Sequence, residues 1–418
     1  MTAILDYLNR SFTEEMLRRF LSYVRIDTQS NRHTEKTPTT EGQWDLARQL
    51  EQELRELGIS ELELDRHCYL IAHLPASPGK EHVPCIGLMA HMDTASDVSG
   101  SGVKPRVIKN YDGKGIWLSE QYLLDPSEFP DLCEHVGDTI VVTDGSTLLG
   151  ADDKAGIAEI MTAVAYLLQH PELKHGPIDI YFTPDEETGK GMDIFPLGKA
   201  RAKACYTLDG GAAPEIEAEC FNAYAVKADF FGKVIHIGAA RGRLANAVAM
   251  AASFIDMLPR SESPEATDGW FGYYCPIEVS GGLEHAWTEV YLRDFSASRM
   301  QERIAALKAF AAAVEAQFPQ GHIELNVTQQ YLNMKEKLDK HPEVLERLKN
   351  AIKVLNIEPI MKPIRGGTDG SRLTEMGIPT PNLFTGGYNY HSRFEWASLS
   401  EMALSVDTML NLVQGWAD

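Results

Sequence analysis

Apolar residues recur at helical spacing from Glu14 to Ile26, where Met16, Phe20, Leu21 and Val24 form a stripe among charged neighbours. A second run from about Thr40 to Leu57 sets Trp44, Ala47, Leu50, Leu54 and Leu57 on one face. Thr40 and Gln43 suit a capping box at its start, and Gly58 suits its stop. Strand-like segments follow at 61–65, 69–74 and 85–90. Residues 94–138 are rich in Gly, Asp, Ser and Pro and predict a long irregular connection, usually functional or an insertion in a compact domain. The pattern resumes with a strand at 139–143, a helix at 155–169, and strands at 178–183 and 204–208. Strands alternating with helices predict an α/β fold with a mostly parallel sheet.

The character changes near residue 220. Ala223 to Phe231 alternates as an antiparallel strand does, Leu244 to Leu258 reads as a helix stopped by Pro259, and Trp287 to Leu292 reads as a strand. An Ala-rich helix from Arg299 to Phe318 and a strand from Ile323 to Val327 complete a small α+β domain inserted into the first. Pro342 then opens a helix to Leu355 from its first position, where its missing N–H costs nothing. A last helix runs from about Leu399 to Val413, with Ser398 and Glu401 as a capping box.

Length and charge narrow the functional class. A chain of 418 residues is long enough for two domains. A net charge of −21 argues against a nucleic-acid or anionic-membrane partner, which calls for a basic face. The six cysteines form no close pairs, which argues against a disulfide framework and fits a reducing cytoplasm. Met1 to Arg10 lacks the apolar core of a signal peptide, and no run approaches the ~18 apolar residues of a membrane span.

Five stretches concentrate acids and imidazoles where strand-like runs end. They are His91-Met92-Asp93, Asp152-Asp153, Asp185-Glu186-Glu187, Asp209-Gly210-Gly211 and Tyr390-His391. Adjacent carboxylates at a strand-to-helix junction are costly to bury unless a cation joins them. Taken singly, each stretch has an ordinary alternative: a buried histidine, an acidic first helical turn, a solvated loop or a turn. Together they predict a two-metal hydrolytic site. Residues two apart on a strand share a face, so His91 can ligate while Asp93 orients a neighbour. Asp152 is the expected bridge, since a shared carboxylate suits metals ~3.5–4 Å apart. His91, Asp152 and Asp209 then hold one ion, and Glu187, Asp152 and His391 the other. Of the two adjacent glutamates, one can ligate while the other holds the attacking water. Zinc accepts such nitrogen and oxygen donors, and cobalt or manganese also suit them.

The stretches His91 to Thr94, Leu148 to Gly156, Thr183 to Glu187, Leu208 to Gly211, Pro363 to Gly370 and Asn382 to His391 resemble, in order, those of a co-catalytic zinc peptidase and deacylase family. That family includes carboxypeptidase G, acetylornithine deacetylase and related dipeptidases. The resemblance runs from about residue 14 to the C-terminus. It implies a zinc-peptidase catalytic domain of residues 1–219 and 333–418 and a lid domain of residues 220–332. It implies two zinc ions per subunit on the ligands named above, Asp93 as the orienting acid, Glu186 as general base, and a cis Asp152–Asp153 bond. It implies hydrolysis of the N-terminal residue from tripeptides, with a related N-acyl amino acid deacylase or dipeptidase as the near alternative and a non-catalytic peptide-binding protein as the distant one. In the family a lid histidine, asparagine and arginine contact substrate, matched by His236, Asn246 and Arg293, and lids mediate homodimers. Here the lid motif reads His236-Ile237-Gly238, where relatives carry His-Pro-Gly. Arg293 and Arg365 are the candidates to hold a peptide carboxylate as a bidentate partner.

Overall fold

The computed structural model describes residues 2–418, with side chains from Ile4 onward. The chain forms two compact units. The first takes the chain up to Ala218, with Glu336–Lys362 and Thr368–Asp418; the second takes Glu219–Lys335 and Pro363–Gly367.

The first unit is built on an eight-stranded sheet. Its spatial order is Leu62–Leu64, Leu70–Leu74, Ile178–Thr183, Ile86–His91, Ala204–Gly210, Asn382–Phe384, Glu215–Cys220 and Ile360–Ile364. Strand Ile86–His91 pairs in parallel with Ile178–Thr183 and Ala204–Gly210, and the latter pairs in parallel with Asn382–Phe384. Antiparallel strands flank this parallel centre, Leu70–Leu74 on one side and Glu215–Cys220 on the other. Both Ile86–His91 and Ile178–Thr183 are buried along their whole length, as parallel strands covered on two faces must be. In such sheets ligands gather beyond the carboxyl ends of the strands.

Helix Ala151–Gln169 is the central piece of the covering layer. It packs on strands Ile86–His91 and Ala204–Gly210 and is covered in turn by helices Thr13–Tyr23 and Leu399–Ala417. Ile157, Ile160, Met161 and Val164 are fully buried in it, each worth about 1.5–3 kcal/mol over exposure. Gly156 is required by the approach: a Cβ there would lie 2.0 Å from the Leu208 carbonyl oxygen. The helix therefore meets the sheet at the strand's carboxyl end, with Asp152 and Asp153 in its first turn. Both residues depart from helical dihedrals, and their mutual peptide bond is cis.

Some expected details differ. Helix Gly42–Glu56 begins two residues after Thr40 without a side-chain cap. The Gln43 amide instead bonds Asp185, Thr39 and Thr40, a stronger claim because one partner is a buried carboxylate. Ser398 does cap its helix by accepting from Glu401 N–H, but the Glu401 carboxylate turns away to Tyr388 and the Ala213 amide. Only half of that box forms. The run at Ile140–Val142 joins not the main sheet but a second one, ordered Gly387–Tyr388, Trp396–Ser398, Ile140–Val142 and Arg106–Ile108.

The second unit is a four-stranded antiparallel sheet in the order Tyr273–Gly281, His285–Asp294, Asn222–Phe231 and His322–Tyr331. Alternate residues Ala286, Thr288, Val290 and Leu292 point inward and are buried. Helices Ala247–Asp256 and Ala297–Gln317 supply the rest of this core, including Met250, Phe254, Ile304 and Leu307. Strand Tyr273–Gly281 is an addition to the sequence reading. It carries Pro276, its register shifts between Pro276 and Glu278, and six of its nine residues are exposed, which are the marks of an edge strand.

Candidate active site

Two strand ends, two loops and one helix start converge at the carboxyl edge of the parallel strands. Strand Ile86–His91 ends in His91, strand Ala204–Gly210 carries Asp209, and strand Ile178–Thr183 leads to Glu186 and Glu187. The turn after strand Gly387–Tyr388 delivers His391, and helix Ala151–Gln169 delivers Asp152. The structure brings these residues into two groups of three, His91–Asp152–Asp209 and Asp152–Glu187–His391, each with donor atoms within 4.8 Å of one another.

Asp152 joins the groups through opposite oxygens. Its Oδ1 lies 2.8 Å from His91 Nε2 and its Oδ2 lies 3.2 Å from His391 Nε2. Asp209 Oδ1 lies 3.7 Å from His91 Nε2, and Glu187 Oε2 lies 3.0 Å from His391 Nε2. This is the disposition of a bridging carboxylate with one imidazole and one further carboxylate on each side.

The surrounding contacts fix these donors. His91 Nδ1 lies 3.1 Å from the Asp93 carbonyl oxygen and 3.4 Å from its carboxylate. The buried Asp93 carboxylate accepts the backbone amides of Glu186 at 2.9 Å and Glu187 at 3.2 Å. One acid therefore orients both a histidine and the glutamate pair, in the manner of groups that support metal ligands. The His91 amide donates to Asp153 Oδ2.

Two supporting acids had no assigned role in the sequence, Glu395 with hardly a mark and Asp185 named only as part of its acidic stretch. Glu395 accepts the amides of Leu149, Gly150 and Asp152, so one buried carboxylate shapes the whole approach to the bridge. A lone acid inside the run Phe394-Glu395-Trp396 was its only mark. Asp185 has φ 59°, a left-handed conformation costing roughly 1–2 kcal/mol for a residue with a Cβ. Its carboxylate is held by Thr39 N, Thr39 Oγ1 and Gln43 Nε2, which offset that cost and set the direction of the following glutamates.

The electrostatics show a centre short of positive charge. Burial raises Glu187 to about 7 and Asp209 to about 6, with the Asp152 charge adding to both. Burial raises Glu186 well above the usual carboxylate range, reinforced by Asp209, Asp369 and Glu187 and opposed by His91. His391 loses to burial but gains more from Asp152 and Glu187, and is pushed up to about 11. His91 is raised well above its ordinary value because Asp152, Asp209 and Asp93 outweigh its burial. Burial alone would raise Asp152, yet hydrogen bonds from His391 and His91 hold it below the usual range. Glu187 Oε1 is buried without a partner. Imidazoles that cling to protons and a carboxylate oxygen left bare are what a donor set shows when cations belong there. The residues fit a pair of divalent ions of the kind that accept His nitrogen and carboxylate oxygen.

The remaining predicted residues belong to the second unit. His236 is exposed and its Nδ1 accepts from Gly238 N–H. Asn246 caps helix Ala247–Asp256 through Val248 and Ala249 N–H. Arg293 donates to the carbonyls of Leu292 and Tyr224 and lies over the Tyr291 and Tyr331 rings. Arg365 donates to the carbonyls of Thr267, Gly269 and Phe271.

A bridged donor set at the carboxyl edge of a largely parallel sheet defines a candidate metallopeptidase. Comparison with known proteins agrees with that class. Residues 144–415 match the model of peptidase family M20/M25/M40. The chain is 44% identical over 402 residues to Peptidase T of Geobacillus sp. (strain WCH70), covering 96% of this chain and 98% of that relative. Its fold is similar to that of aminopeptidase PepT from Bacillus cereus ATCC 10987, with a TM-score of 0.74 at 24% identity over 97% of this chain and 99% of that one. It is also similar to a Bacillus subtilis protein described as a dinuclear metal binding peptidase, with a TM-score of 0.65 at 14% identity over 97% and 98% of the two chains. The chain belongs to peptidase family M20/M25/M40 and is a peptidase. Among the described residues no helix is long and apolar enough to cross a membrane.

Proposed function

We propose that the chain is a zinc-dependent aminopeptidase of the cytoplasm that removes the N-terminal residue from tripeptides, with Glu186 as general base. The observation that carries this reading is the Asp152 carboxylate, whose two oxygens face two different histidines at 2.8 and 3.2 Å. Support for the substrate comes from the likeness to Peptidase T over nearly the whole chain.

His91, Asp152 and Asp209 would hold one ion, and Asp152, Glu187 and His391 the other. When bound, such a pair supplies Lewis-acid chemistry, polarising a carbonyl and acidifying water. Glu186 takes one proton from the attacking water and passes it to the nitrogen of the departing amine. Asp93 steadies this exchange by holding the Glu186 amide, so that the carboxylate moves protons without leaving its place. The acidic surroundings favour a substrate ammonium. Arg293 or Arg365 would take the peptide carboxylate by exchanging it for the backbone carbonyls they now hold. A homodimer through the second unit is part of the same proposal.

The test is a panel of peptides differing in length and end-blocking, assayed before and after chelation. Free tripeptides should be cleaved and their N-acetylated forms poorly, chelator should abolish turnover, and zinc, cobalt or manganese should restore it. Equal cleavage of acetylated and free tripeptides would favour a deacylase. Full activity without metal would remove the two-ion reading.

A further inference from the structure

The strand carrying Asp209 is irregular at that residue. Its pairing with strand Asn382–Phe384 runs Thr207 with Asn382 and Leu208 with Leu383, then passes to Gly210 with Phe384. Asp209 is the extra residue of a bulge. Its other neighbour, strand Ile86–His91, is paired with it only as far as Thr207. Bulges beside active sites redirect a side chain, and they leave backbone groups outside the ladder. Here the Asp209 amide donates to the side chain of the fully buried Asn382, at 3.2 Å from Oδ1.

An asparagine amide can present either end, so something must decide which end faces Asp209. On the opposite side Asn382 pairs with Glu217 of the antiparallel strand, and Asn382 Nδ2 donates to Glu217 Oε2 at 2.7 Å. The Asp209 N–H can only donate, so it takes Oδ1 and leaves Nδ2 for Glu217, whose carboxyl, pushed up to about 8 by burial, accepts it. One side chain thus crosses three strands and ends on the backbone of a candidate ligand.

Resting on the two-ion reading, we propose that Asn382, braced by Glu217, is a positioning residue that fixes the bulge and aims the Asp209 carboxylate into the His91 group. Asp209 joins only one of the two groups, so the effect is confined to one ion.

The test uses the full-length protein stripped of metal and titrated with cobalt(II) against a competing chelator, read by visible absorption. Asn382→Asp keeps an acceptor for the Asp209 amide but faces Glu217 with a second acid. It should weaken one of two cobalt sites by about 10–100-fold and leave the other within about threefold, the usual reach of a group that supports a ligand. The absorption lost should match that lost in Asp209→Asn. Glu217→Gln, which keeps an acceptor for Asn382, should bind as wild type. Combined with Asn382→Asp it restores a donor–acceptor pair and should recover the weakened site. Thermal melts confirm that each variant is folded. Unchanged cobalt binding in Asn382→Asp, equal weakening at both sites, or a folded double variant without recovery would overturn the proposal. A wild type that binds fewer than two cobalt ions would overturn the two-ion reading itself, and the proposal with it.

Discussion

His91 and His391 face opposite oxygens of one carboxylate, yet the chain delivers them by different means. His91 ends a central strand, its side chain is 2% exposed, and both its ring and its amide are held by acids. His391 sits in a loop at φ 60°, its side chain is 44% exposed, and Asp97 lies 3.4 Å from its Nδ1. The sheet organises the first group before any ion arrives. In the second, Glu395 and Asp93 hold Asp152 and Glu187 by their amides, and His391 is the donor that comes from an exposed loop. Buried, prearranged donors lose little freedom on binding, whereas an exposed side chain gives up more of it at the moment of capture.

If both groups serve one reaction, removing the base beside them is the severest blow. Glu186→Gln should cut kcat by roughly 10²–10⁴-fold while both ions stay bound. Steady-state kinetics with metal analysis checks this, and loss of an ion would show that Glu186, not Glu187, is the ligand. A third imidazole, exposed and outside both groups, sharpens the contrast. If His236 donates to the developing oxyanion, His236→Ala should lower kcat by about 10²–10³-fold with metal content intact. A variant with unchanged kcat would leave His236 outside the chemistry.

The asymmetry itself predicts an order of metal loss. His391→Ala should weaken one ion, and because His391 is the exposed donor of its group the wild-type protein should also surrender that ion first to a chelator. His91→Ala should weaken the other ion and lower the melting temperature as well, since it vacates a buried place. Simultaneous release of both ions from wild type would erase the distinction.

The smallest effect is on pH. In metal-free protein Glu187 titrates at about 7, Asp209 at about 6 and His391 at about 11. The unfolded chain reverts to roughly 4 for the acids and 6.5 for the imidazole. Between those limits the folded chain holds more protons, so its stability falls as pH rises. Ions displace the same protons, so the melting-temperature gain on adding zinc should grow from about pH 6 to 8. A gain that shrinks over that range would contradict the donor set.

The residues that announce themselves in sequence are those whose cost is local. Ile178–Thr183 is an unbroken strand run, and His91 and Asp209 interrupt similar runs at a point where charge has no local reason to be. What stayed hidden depends on partners far along the chain. Gln43 reads as a helix cap until the fold places Asp185, 142 positions away, against it. Tyr273–Gly281 gave no element in the sequence because Pro276 interrupts it, and only its neighbour in the sheet makes it a strand. Asn382 lies in a stretch that resemblance singled out, but its function as an orienting group needs the bulge at Asp209, which no periodicity reveals.

Glu395 sets a timetable for synthesis. Its carboxylate grips the amide of Asp152 across 243 positions, and His391 completes the second group from the same late segment. A ribosome therefore makes the bridging acid long before it makes the groups that place it. Contacts so distant in sequence close last and slow folding. A nascent chain arrested before residue 391 carries most of the donors without a finished centre, and peptidase activity waits until the last of the site has been translated.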